Sequence, residues 1–122
     1  MSQIDQTALN NIRALQRPEA PDLVERIVGL FVTQTPASVK TILDAVESGD
    51  LETIRITAHG VKSSATYVGA TSLSKRFADL EIVAREGQLD LCQELCIDIN
   101  DHTLQVIDEL SPYLDQSQDR AA

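Results

Sequence analysis

Apolar residues recur along this chain at steps of three and four, and nowhere do they alternate as they would in a half-buried strand. Leu9, Ile12 and Leu15 mark a short helix over 5–16, ended with its linker by Pro18 and Pro21. Asp22 stands where an N-cap or first-turn acid belongs, and Leu23, Ile27, Leu30 and Phe31 open a second helix. Pro36 falls inside that pattern, yet Val39, Ile42, Leu43 and Val46 keep the period beyond it. Either one long helix is kinked near Thr33 or two helices abut there. The kinked helix is favoured, because only Thr35 near the proline suits a loop. Ser48-Gly49-Asp50 reads as a stop followed by a new start.

The third helix runs from Leu51 to about Val68, with Leu51, Ile54, Ala58, Val61, Ala65 and Val68 forming a narrow apolar seam. Gly69 ends it, and Ala70, Leu73, Phe77, Leu80 and Ala84 continue the rhythm in a fourth helix that closes at Glu86-Gly87. Leu91, Leu95, Ile99, Val106, Leu110 and Leu114 predict a single last long helix, its inner face widened by Cys92, Cys96, Thr103 and Ile107 and its end frayed by Pro112. Short connections make consecutive helices antiparallel neighbours. The expected fold is all-α: an antiparallel up-down-up-down four-helix bundle with a short N-terminal capping helix. One domain spans 1–122, with a core of about 5–114 and a loose, polar tail over 115–122.

Composition narrows the function classes. Of 122 residues, 43% are hydrophobic but only 3% aromatic, so the core has to be aliphatic, which suits packed helices. Ten Lys and Arg against 19 Asp and Glu give a net charge of -9. Nucleic-acid binding needs a basic footprint, and an anionic membrane surface would repel the chain. Neither partner is expected; another protein, or a small ligand that tolerates an acidic neighbour, is. Cys92 and Cys96 lie one helical turn apart, poorly placed for an unstrained disulfide and short of the ligands of a zinc site, so they read as buried thiols in a reducing compartment. The N-terminus has no secretory pattern and no run reaches membrane-spanning length, so a cytoplasmic protein is expected.

On a helical wheel of the third helix, His59 lies roughly 130° from the centre of the seam, at about 100° per residue. Ile56 and Ser63 point almost directly outward, and Glu52, Gly60 and Tyr67 share the outer half. Lys62 sits at the boundary one turn beyond His59, where its ammonium would reach the imidazole, and Arg55 lies one turn before on the same flank. A surface histidine on a helix is most often idle. Here its surroundings are unusual: Gly60 is costly in mid-helix, Ser63 and Ser64 are weak helix formers, and Ile56 is apolar yet outward. Together they describe a bare platform around one imidazole, with a cation at hand. An exposed neutral imidazole is a nucleophile near pH 7. A catalytic triad would need a pocket, and a metal site more ligands; His102, the other histidine, reads as a solvated residue of the last helix whose neighbour Asp101 would raise its pKa slightly. A phosphoryl acceptor fits best, needing one accessible ring nitrogen, a nearby lysine and room for a donor.

The stretch Ala58-His59-Gly60-Val61-Lys62-Ser63-Ser64-Ala65, with Gly69-Ala70, Leu73 and Leu80-Glu81 after it, resembles the histidine-containing phosphotransfer (HPt) domain of bacterial multi-step two-component signalling. The resemblance covers about residues 5 to 110. It implies that His59 is the phosphoacceptor, that Lys62 steadies the phosphoryl group, and that Gly69 is the turn glycine that lets the third and fourth helices pack. Ser63 stands where many members have glycine, and Ser64 at a small polar position beside the site. Ile56 and Tyr67 would belong to an apolar docking surface, with Arg55, Gly60, Ser63 and Ser64 around it.

The implied activity is that of a phosphocarrier without catalytic machinery of its own. Phosphate would arrive from an aspartyl phosphate on a response-regulator receiver domain and leave to another. A hybrid sensor histidine kinase is a further implied partner. No cofactor is expected here, since the receiver supplies the acidic pocket and the divalent metal, and the chain is expected to be a monomer. The starting Met leans towards a free-standing protein over a module of a larger kinase. The competing readings are a helical adaptor that docks a receiver or kinase without passing phosphate, and a structural bundle in which His59 is incidental.

Overall fold

The computed structural model describes residues 3–18 and 22–121, and of 115–121 the backbone alone. Pro21, read as closing the first linker, lies outside them, as does Ala122. Among the described residues six helices follow one another: α1 (Gln6–Arg13), α2 (Leu23–Ser48), α3 (Leu51–Tyr67), α4 (Thr71–Arg85), α5 (Leu89–Leu95) and α6 (Ile99–Ala121). No strand occurs among the described residues. The long helices α2, α3, α4 and α6 form the bundle and α1 caps one end.

Three aspartates start helices, Asp22 and Asp50 as their positions predict and Asp5 in addition. Asp5, Asp22 and Asp50 each accept a hydrogen bond from the first turn, from the backbone N–H of Thr7, Glu25 and Thr53 respectively. α2 continues unbroken through Pro36, so the single-helix reading holds over abutting helices. Gly49 ends it in the left-handed region at φ 76, and its N–H meets the last carbonyls of the helix. The antiparallel turn into α3 therefore takes only two residues.

The core is aliphatic apart from Phe31 and Phe77, in line with a chain only 3% aromatic. Leu9, Val28, Val39, Ile42, Ile54, Leu73, Phe77, Leu80, Ile99, Val106 and Leu110 are buried, and the α3 seam of Ile54, Ala58, Val61, Ala65 and Val68 faces inward throughout. Burying such side chains stabilises a fold by roughly 1.5–3 kcal/mol each. Cys92 and Cys96 are buried free thiols in this core, and burial pushes the Cys96 thiol up to about 11.

Gly69 joins α1 to the bundle. It sits at φ 80, its carbonyl accepts from the Asp5 N–H at 2.7 Å, and any Cβ there would fall on the Asp5 carbonyl oxygen. Its smallness thus serves the N-terminal segment as well as the turn between α3 and α4.

Two expectations need correction. The single last helix is two helices, α5 and α6, broken where Asp98 takes a left-handed φ of 62. Aspartate is one of the few residues that tolerate this conformation. Arg76 of α4 seals the break, its guanidinium donating to the carbonyls of Leu95 and Ile97. Leu95 and Ile99 both still face the core, so the apolar period crosses the break and conceals it. Second, α6 passes through Pro112 and its backbone is helical to Ala121, in place of the frayed end expected at the proline. Proline deletes a single donor, and no glycine or second proline follows to stop the helix.

Candidate functional site

The seam residues Ala58 and Val61 are held in the core, which sets His59 and Lys62 at the edge of α3 that faces α4. The His59 side chain is 59% exposed. Opposite it, α4 presents Glu81, whose side chain is only 6% exposed. Three groups converge on this carboxylate. His59 Nδ1 lies 3.1 Å from Oε2, Lys62 Nζ lies 2.8 Å from Oε1, and the Arg85 guanidinium lies 2.9 Å from Oε2.

The Lys62 ammonium holds the Glu81 carboxyl below the usual carboxylate range against the opposing effect of burial, and His59 adds to it. An ionised carboxylate only accepts, so Nδ1 must donate its proton to Oε2. That fixes the tautomer. The second ring nitrogen, Nε2, then carries the lone pair on an otherwise exposed ring. The site can therefore present one nucleophilic nitrogen of set identity, with its orientation held from below.

The other predicted residues divide into two groups. Ile56, Gly60, Ser64 and Tyr67 line a groove of about 500 Å³ between α3 and α2, whose far wall is Leu30, Phe31 and Gln34. Ile56 is 56% and Tyr67 67% exposed, and a Cβ on Gly60 would meet open space. The groove runs beside His59, one position along the helix. Arg55 and Ser63 do not line it. Arg55 pairs with Glu52 on its own helix, and the Ser63 hydroxyl folds back on the His59 carbonyl at 3.3 Å, which keeps it against the backbone and clear of the ring.

Lys62 contacts Glu81 and not the imidazole, so its link to His59 runs through the carboxylate. Glu81 and Arg85 carry no role in the sequence reading, and neither does Leu30. The signal for Glu81 was present: it stands four residues after Phe77 and three before Ala84, an acid inside the apolar stripe of α4.

His102 needs correction. It is half-buried rather than solvated, and ties α6 to α4 by accepting from Arg76 on Nδ1 and meeting the Ser72 hydroxyl through Nε2, both at 3.3 Å. Burial, and then the charge of Arg76, push its pKa down, the reverse of the direction expected from Asp101. Among the described residues no group of three or more His, Cys, Asp or Glu could hold a metal ion, and no helix is long and apolar enough to cross a membrane.

The profile of a known family, the Hpt domain, matches residues 26–118. The fold is similar to the crystal structure of histidine-containing phosphotransfer protein B (HptB) from Pseudomonas aeruginosa PAO1, with a TM-score of 0.82, 21% sequence identity, and coverage of 93% of this chain and 96% of that one. At that identity the likeness speaks for the fold alone. No curated protein sequence matches the chain significantly.

Proposed function

The chain belongs to the Hpt domain family, and from that premise we propose that His59 is its phosphoacceptor, taking a phosphoryl group on Nε2 from the aspartyl phosphate of a receiver domain and passing it to another receiver. The observation that carries this reading is the exposed imidazole whose Nδ1 is pinned by the buried Glu81.

The chemistry follows from the fixed tautomer. The Nε2 lone pair attacks phosphorus, the bond from phosphorus to the aspartyl oxygen breaks, and the receiver's carboxylate leaves with the electron pair. No proton has to leave Nε2. The ring becomes an imidazolium whose remaining proton, on Nδ1, is already donated in a hydrogen bond to the Glu81 carboxylate, so the positive charge develops against a negative one. Transfer onward is the reverse attack by the next receiver's aspartate. Lys62 supplies positive charge for the phosphoryl oxygens. The divalent metal of the reaction is expected on the receiver.

The groove between α2 and α3 is the surface on which the receiver would lie. It is apolar, open, and next to His59, and the absence of a side chain at Gly60 leaves its mouth unobstructed. Incubating the chain with receivers carrying labelled phosphate tests the reading. Label should appear on the wild type, and His59→Gln should abolish it while the helical circular dichroism is unchanged. Label that survives the substitution would remove His59 from the role.

A further inference from the structure

We propose that Arg85 is a positioning residue for this transfer: it keeps Glu81 seated on His59 Nδ1 when the phosphoryl group draws Lys62 away. The inference rests on the reading of His59 as phosphoacceptor.

The two cations on Glu81 are not equivalent. Lys62 is the cation on Oε1, whereas Arg85 shares Oε2 with His59. Arg85 therefore holds the oxygen that orients the imidazole, and Lys62 holds the other. In the resting site both cations offset one buried carboxylate. Once Nε2 carries a phosphoryl group, with about two negative charges, the Lys62 ammonium has a second claimant. Whatever share of it moves to the phosphoryl oxygens is lost to Glu81. A carboxylate whose side chain is 6% exposed tolerates such a loss poorly, because a buried charge without a partner is costly.

Arg85 removes that conflict. With it, the phosphorylated site holds three negative charges, from Glu81 and the phosphoryl group, against three positive ones, from the imidazolium, Lys62 and Arg85. Without it the site is left with an uncompensated negative charge, and the carboxylate would compete with the phosphoryl group for Lys62. Arg55, the other cation whose charge is felt at Glu81, is engaged with Glu52 and cannot take over. An exposed ion pair one helical turn apart is ordinarily worth little. This one differs because only the arginine, 61% exposed, is in solvent.

Substitution of Lys62 imitates its withdrawal, so the inference can be tested before any phosphate is present. At a pH where the ring is neutral, 15N NMR of the full chain reports which nitrogen of His59 bears the proton. Lys62→Gln and Arg85→Gln should each keep the Nδ1–H form, and the double variant should lose it to a mixture. Loss of that form in Lys62→Gln alone, or its retention in the double variant, would overturn the inference. Phosphoramidate supplies a donor that needs no partner protein. Labelling of His59 should slow about tenfold in Arg85→Gln and recover in Arg85→Lys. Equal rates for wild type and Arg85→Gln would also overturn it. Failure of the wild type to take label at His59 would instead strike the acceptor reading itself.

Discussion

Under the proposed function, Glu81 turns an ordinary surface histidine into a directed nucleophile. It is a buried acid with three partners, and its side-chain role is visible only once α3 and α4 are packed. Glu81→Gln keeps the shape and removes the charge. Transfer through His59 should fall by about 10- to 100-fold, measured with a phosphorylated receiver, because the amide no longer fixes the tautomer. Stability should fall by about 1–3 kcal/mol in denaturant unfolding. The pH dependence has a definite sign. The folded-state pKa of Glu81 is below its ordinary 4.5, so its contribution is complete above that value and is lost as pH falls through the lowered one. The variant should lack this loss, so its stability should converge on that of the wild type in acid. At this scale the sequence was half legible. His59 and Lys62 stand out on a helical wheel, which needs only their own helix. Glu81 acts across helices and Arg85 acts through it from the same helix α4, so no wheel of α3 contains either.

At the scale of elements, two glycines make opposite predictions. Gly60 is helical and a Cβ there meets nothing, so Gly60→Ala should raise stability by about 1 kcal/mol. Gly69 is left-handed and packed against Asp5 and Ala8, so Gly69→Ala should cost about 2–3 kcal/mol and loosen α1. Thermal unfolding of both variants checks the pair, and equal effects would contradict the packing described. Helix starts were legible because capping aspartates act locally, and α2 kept its period through Pro36. The break between α5 and α6 was not. It depends on a guanidinium from α4 reaching the carbonyls of Leu95 and Ile97, while the apolar spacing runs on as if the helix were continuous.

For the whole molecule, charge is distributed unevenly. Residues 51–85 hold five of the ten basic residues, Arg55, Lys62, Lys75, Arg76 and Arg85, and three of the 19 acidic ones, Glu52, Asp79 and Glu81. The acid surplus behind the net charge of -9 lies entirely outside the α3–α4 hairpin. Composition alone averages this away. Under the proposed function the hairpin would attract the acidic mouth of a receiver while the remaining surface repels it, which favours encounters at His59. Arg55→Glu should therefore slow transfer several-fold at low salt and much less at high salt. An effect equal at both would indicate a contact instead of a field. The most direct measurement of the central claim is the position of the phosphoryl group after transfer from a receiver, read by 31P and 15N NMR of the phosphorylated chain. The account predicts phosphorus on Nε2 of His59 with the proton retained on Nδ1. Phosphorus on Nδ1, or on any other residue, would contradict it.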